Sequence, residues 1–202
     1  MYTPRYFEVP AQQTLLSILP EASFAVLVTP VDTGVEITHL PLSYDPEAGE
    51  QGTIYGHMAK PNPHSKALES GVSTVIFSGP HIYVSPTDYA SNANVPTWNY
   101  VAVHATGHAK VIGEPEKVRE ILEQLTRENE ESRSVPWTLD DYDQKKLQAM
   151  MRGIVAFEIP VEDLQAKAKL GQNKSREDRL ALSDAASGTD LQDWQKSILE
   201  KE

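Results

Sequence analysis

Residues 94–111 read NVPTWNYVAVHATGHAKV. A rigid aromatic corner, Pro96-Thr97-Trp98-Asn99-Tyr100, leads into an alternation, with Val101, Val103 and Ala105 on one face and Ala102, His104 and Thr106 on the other. A period of two is the mark of a half-buried β-strand. Gly107 interrupts it, as a bulge or a close approach of another backbone would. Two readings of the corner stand side by side. Trp98, Asn99 and Tyr100 hold a flat ligand at the mouth of the strand, or Trp98 and Tyr100 plug one end of a barrel.

On either side of this stretch the chain repeats the strand signal. Runs at 24–29, 35–44, 53–58, 72–78 and 153–159 are apolar or alternating, of strand length, and bounded by turn residues. Shorter strand-like pieces lie at 81–85 and 164–170. Pro41, inside the second run, points to an edge or a bulge because it has no N–H to give. Helical spacing occupies 11–19, closed by Pro20. A short helix over 64–70 starts with Asn62 as its cap and Pro63 in its first turn, and stops at Gly71. A longer one starts at Gly113-Glu114-Pro115 and runs to about Asn129, with Val118, Ile121, Leu122 and Leu125 as its buried stripe. Another covers 144–152. Regular strand–helix–strand alternation is missing, so the expectation is a mainly β (α+β) fold: an antiparallel barrel with helices packed outside.

Composition narrows the chemistry. The chain has 202 residues and no Cys, which excludes disulfides, thiolate catalysis and Cys-ligated metals. The formal net charge is −11 and no window is strongly basic, so direct DNA binding is disfavoured. The N-terminus lacks the apolar core of a signal peptide, and no apolar run nears the roughly 20 residues that span a bilayer. A soluble, cytoplasmic protein is expected. Among the six histidines, His104 and His108 are four apart, but in a strand that is about 13 Å, too far for one ion bound at about 2 Å. No metal site is expected. The G-x-S-x-G elbow, the G-x-G-x-x-G fingerprint and the P-loop are all missing.

Three stretches are polar and rigid where a plain barrel needs neither. Thr38-His39-Leu40-Pro41-Leu42 sets a histidine beside a proline that frees a neighbouring backbone group. Gly56-His57-Met58-Ala59-Lys60 ends a strand just before the capped helix, a sound place for a phosphate. Tyr83-Val84-Ser85-Pro86 and the aromatic corner supply flat faces and amides. Together they describe a site for something flat with an anionic tail.

HLPL (39–42), GTIYGHMAKPNP (52–63), FSGPHIYVSP (77–86), VPTWNYVAVHATG (95–107) and KLGQN (169–173), in this order, resemble the PaiB-like family of FMN-binding negative transcriptional regulators, akin to the pyridoxamine-phosphate-oxidase group. The resemblance covers nearly the whole chain, to about Asp178. It implies a six-stranded antiparallel FMN-binding split barrel over residues 1–180, followed by a helical tail over 181–202. It also implies a homodimer with FMN in a cleft between the subunits. The ring would lie near His39, Leu40 and Pro41, and the phosphate near His57, Lys60 and Asn62. Trp98 and Asn99, with Lys169 and Gln172, would close the cleft from the other chain. The chain departs from the family pattern at Asp88, where members have an aromatic residue, at Asn92, where they have a basic one, and in Lys167-Ala168-Lys169, which lacks a Trp. A stacking surface and one or two polar contacts are lost. The functional classes in competition are a flavin-binding regulator without turnover and a flavin-dependent oxidoreductase, with haem binding through one axial His as a third.

Overall fold

The computed structural model describes residues 1–199. In chain order the elements are helix α1 (Ala11–Ala22), strands β1 (Phe24–Val31), β2 (Gly34–Asp45) and β3 (Thr53–Ala59), helix α2 (His64–Ala67), strands β4 (Ser73–Val84), β5 (Thr97–Gly107) and β6 (Lys110–Ile112), helices α3 (Pro115–Glu130) and α4 (Gln144–Met151), strands β7 (Ile154–Pro160) and β8 (Asp163–Lys169), and helices α5 (Arg176–Ala185) and α6 (Asp190–Leu199). They fall into two units. One contains Leu19–Phe77 and His104–Leu164, the other Met1–Ile18, Ser78–Val103 and the chain from Gln165 onward.

In the first unit the strand order is β6-β7-β3-β2-β1-β4, and its pairings are antiparallel. The device that curves this sheet is β2. Its residues from Gly34 to Pro41 pair with β1, while Leu42 to Asp45 pair with β3. Pro41 sits at the change of partner, opposite Phe24, where a residue without an N–H costs the ladder least. Beyond it the Leu42 amide returns to the Ser23 carbonyl at 2.9 Å. Leu42, Ile54, Phe157 and Ile159 are fully buried on the inner side. Gly56 must be a glycine there, because a Cβ would lie 2.4 Å from Leu42 Cδ2 and 2.9 Å from Phe157 Cζ. On the other side α3 packs Val118, Ile121 and Leu125 against Ile112 and Ala156, with Leu122 only partly buried. The edge strand β6 has three residues, and the Val111 amide bonds the Glu69 carboxylate at 3.2 Å.

The second unit holds the sheet order β4-β5-β8 together with α5 and α6. Gly79 is buried, and a Cβ on it would lie 3.1 Å from the Val101 carbonyl oxygen. That close approach lets β4 run unbroken through Gly79-Pro80, so the runs at 72–78 and 81–85 are one strand. The stretch 94–111 holds β5, which ends at Gly107, and most of β6, which starts at Lys110. With β8 counted, the sheet has eight strands where six were expected. Gly107 is a site of close approach, since a Cβ would stand 2.2 Å from the Pro160 carbonyl oxygen. Pro20 lies inside α1, in its final turn, where the i−4 carbonyl it cannot bond belongs to the half-exposed Leu16.

Candidate functional site

Alternation along β2 exposes His39, half-exposes Pro41 and buries Leu40 to 3%. Leu40 is therefore core, and only His39 and Pro41 present side chains outward. The His39 ring stacks on exposed Phe24 at 6.3 Å. The same outer face carries Phe24 (66% exposed), Val35 (56%) and Ile37 (56%), an apolar strip that water alone covers in one chain. His57 stands on β3 opposite Ala156, on the face away from the Gly56–Leu42 contact. Its Nδ1 is buried without a hydrogen-bond partner, and burial pushes its pKa down, so the ring is neutral near pH 7. Lys60 is exposed just past β3, its amide bonded to the Gly153 carbonyl at 2.8 Å. Its ammonium has no ion pair among the described residues.

Asn62 is held at both ends of its side chain. Oδ1 accepts from the His64 amide at 3.0 Å, and Nδ2 donates to Thr38 Oγ1 at 3.2 Å. His64 itself is fully buried, with Nδ1 2.9 Å from Thr38 Oγ1 and Nε2 2.8 Å from Thr29 Oγ1, which in turn meets Ser73 Oγ at 2.7 Å. Burial lowers the His64 pKa, the Glu36 charge opposing it more weakly. A neutral imidazole, one nitrogen donating and the other accepting, satisfies this chain of hydroxyls. The network fixes the start of α2 against β2 at Thr38, next to His39. Sequence reading singled out Asn62 and passed over His64, because its partners lie 26 and 35 residues away.

The second group lies in the other unit. Trp98 is 53% exposed, which removes the reading of it as a barrel plug. Its ring meets Tyr83 edge-on at 5.8 Å and His81 at 6.2 Å, so the three form an aromatic surface on β4 and β5. Asn99 points the opposite way and is 1% exposed, with Nδ2 unpartnered. Lys169 donates to the Trp98 carbonyl at 3.0 Å and to Thr97 Oγ1, bracing the start of β5 from β8. Burial lowers its pKa; Tyr100 works against that shift, and the charges of Lys167 and Lys174 add to it. Gln172 turns back on its own segment, Nε2 to the Ala168 carbonyl at 2.5 Å and Oε1 from the Leu170 amide at 2.8 Å. Lys169 therefore braces the aromatic corner, while Gln172 fixes the turn after β8. The departure at Asp88 has a local explanation: its carboxylate accepts from the Ser85 amide at 2.7 Å and closes a 3-10 turn over Pro86–Asp88.

His108 pairs with Glu162 at 2.7 Å on the surface. Among the described residues no three His, Asp or Glu side chains gather as a metal site, and no helix is long and apolar enough to cross a membrane. The residues present do fit a flavin. In the first unit Lys60 and the unpartnered His57 nitrogen offer charge and a hydrogen bond to an anionic tail, and His39 a flat face; in the second unit, taken by itself, Trp98 offers a flat face.

Comparison with known proteins agrees. The chain is 38% identical over 179 residues to the Bacillus subtilis protein "Protease synthase and sporulation protein PAI 2", covering 88% of this chain and 85% of that one. Its fold is similar to that of the flavocytochrome Anf3 from Azotobacter vinelandii, with a TM-score of 0.61, 17% identity, and 84% and 73% of the two chains covered. It is also similar to a FAD- and haem-binding protein from Mycobacterium smegmatis, with a TM-score of 0.60, 16% identity, and 89% and 80% covered. A family model described as "Putative FMN-binding domain" matches residues 1–163, and with it these observations place the chain in that family of split-barrel, flavin-binding proteins.

Proposed function

We propose that the protein binds FMN in a cleft between two identical subunits and acts as a flavin-responsive regulatory protein. The flavin-binding part occupies residues 1–180, and the tail at 181–202 lies outside it. His39, Pro41, His57 and Lys60 of one subunit face the ring and phosphate, and Trp98 of the partner closes the cleft, with its buried neighbour Asn99 on the opposite face of the strand behind it. Leu40, Asn62, Lys169 and Gln172 support these groups from behind. The observation that carries the reading is the exposed apolar strip of Phe24, Val35 and Ile37 running directly beside His39. A contiguous apolar face of this kind marks an interaction surface, and here it would bury the ring side of the site when two chains meet. The 38% identity to a protein named for protease synthase and sporulation supports the regulatory role, exercised in the cytoplasm without direct operator recognition.

An oxidoreductase is the second reading, favoured by the open His81–Tyr83–Trp98 surface, which leaves room for a second flat molecule. When bound, a flavin supplies hydride and electron transfer; the chain's own groups orient it and exclude water.

The test is a titration of FMN and riboflavin into wild type and Lys60→Ala. FMN should lose roughly 1.5–3 kcal/mol of binding in the variant, the range for a hydrogen bond to a charged group, while riboflavin, which has no phosphate, changes little. Equal losses for both flavins would show that Lys60 does not read the phosphate. An absorption spectrum with no flavin bands after incubation with FMN would remove the cofactor itself. Turnover of a nicotinamide donor by the loaded protein would favour the second reading.

A further inference from the structure

The first unit contains a cavity of about 670 Å³ between β6, β7, the start of α3 and the end of α4. None of the residues lining it belongs to the aromatic surface described above. Its wall includes Ile112, Val118, Met151 and Ile154, side chains that belong to or pack against the cluster under α3. Two cations, Lys60 and Arg152, stand on its rim. They are neighbours because the Lys60 amide bonds the carbonyl of Gly153, and Ala59 pairs with Ile154. In a chain with 29 acidic residues, no Asp or Glu lines this cavity. Neither cation has an ion pair among the described residues.

An apolar chamber with a few convergent polar groups is the usual form of a small-molecule site, and this volume lies within the usual range of about 300–1,000 Å³. It is too large for an inorganic anion. The two cations select an anionic head, and the guanidinium fork suits a carboxylate held through two hydrogen bonds. We propose that this cavity binds a small organic acid, its carboxylate on Arg152 and Lys60 and its apolar body on Ile112, Val118, Met151 and Ile154. Because Lys60 is also assigned to the flavin phosphate, Arg152, which that assignment does not involve, is the residue that tells the two apart.

Octanoate is the probe, with 1-octanol and acetate as its two halves, titrated into the full-length protein carrying 13C-methyl methionine. Octanoate should bind below millimolar concentration and shift the Met151 methyl while leaving Met58, buried in the core, in place. Octanol and acetate should each bind at least tenfold more weakly, and Arg152→Gln should weaken octanoate by roughly tenfold or more. The same variant should bind FMN as wild type does. Arg152 is exposed, so its replacement leaves the fold intact, and the Met58 signal reports on that independently. Octanol binding as well as octanoate, an unchanged affinity in Arg152→Gln, shifts confined to other methionines, or no binding at millimolar probe would each overturn the proposal. Loss of FMN binding in wild type would bear on the flavin reading alone.

Discussion

Single residues in this chain are constrained by contacts far away in sequence. Gly107 has the backbone of β7 against it, so Gly107→Ala must push Pro160 aside from 2.2 Å. The expected cost is about 1–3 kcal/mol, the range for overpacking a well-filled interior, measured as a lower denaturant midpoint at unchanged slope. A midpoint equal to wild type would mean that the strands separate at no cost. His64 sets a pH dependence. Its folded pKa lies below the unfolded value of about 6.5, so as pH falls the unfolded chain takes up the proton first. Stability is complete above about pH 6.5 and declines below it, until the folded ring also protonates. His57, lowered by burial as well, acts in the same direction. Acidic groups titrate separately: Asp178, which burial raises but hydrogen bonds from Ser91 and Asn94 and the Lys174 charge pull down further, loses its contribution only nearer its own lower range. Denaturation at about pH 7.5 and about pH 5.5 should show the loss, and an NMR titration placing the His64 ring at or above 6.5 would contradict it.

Among elements, the strands were legible wherever alternation or a bounded apolar run marked them, and β5 kept its period of two over its whole length. What could not be read was the partner of each strand. Pro41 allowed an edge or a bulge in the sequence; the structure makes it the point where β2 leaves β1 for β3, a fact that depends on residues of both. The site was legible as a set of segments but not as side chains. Leu40 shares a segment with His39, and Asn99 with Trp98, yet the pleat sends each pair to opposite faces. The period of two already implied as much. His64 left no sequence signal beyond a capped turn. The outer face of β1 and β2 yields a further expectation: Ile37→Lys, at an exposed position, should fold normally but move the mass in solution from twice 22.4 kDa toward that of one chain. Flavin affinity should fall with it. A variant that stays paired, or a single chain that binds FMN as tightly as the pair, would count against the shared cleft.

The whole molecule is governed first by its charge of −11. Polyanionic DNA gains affinity by exchanging counterions for Lys and Arg, and here 18 Lys and Arg stand against 29 Asp and Glu. The isolated protein should therefore leave a promoter fragment unshifted in a gel at submicromolar concentration. Salt-sensitive retention of one defined fragment would reverse that expectation. The border of the first unit's sheet matters in another way. A long bare border strand is a template on which further chains can lay down strands and build fibrils. Here the border is β6, three residues with exposed Lys110 at its start, and the amide of Val111 is already taken by Glu69. Strand-by-strand growth has almost nothing to add to on that side. A protein that leaves Phe24, Val35 and Ile37 open to water can thus keep a sticky face without also having a sticky rim there.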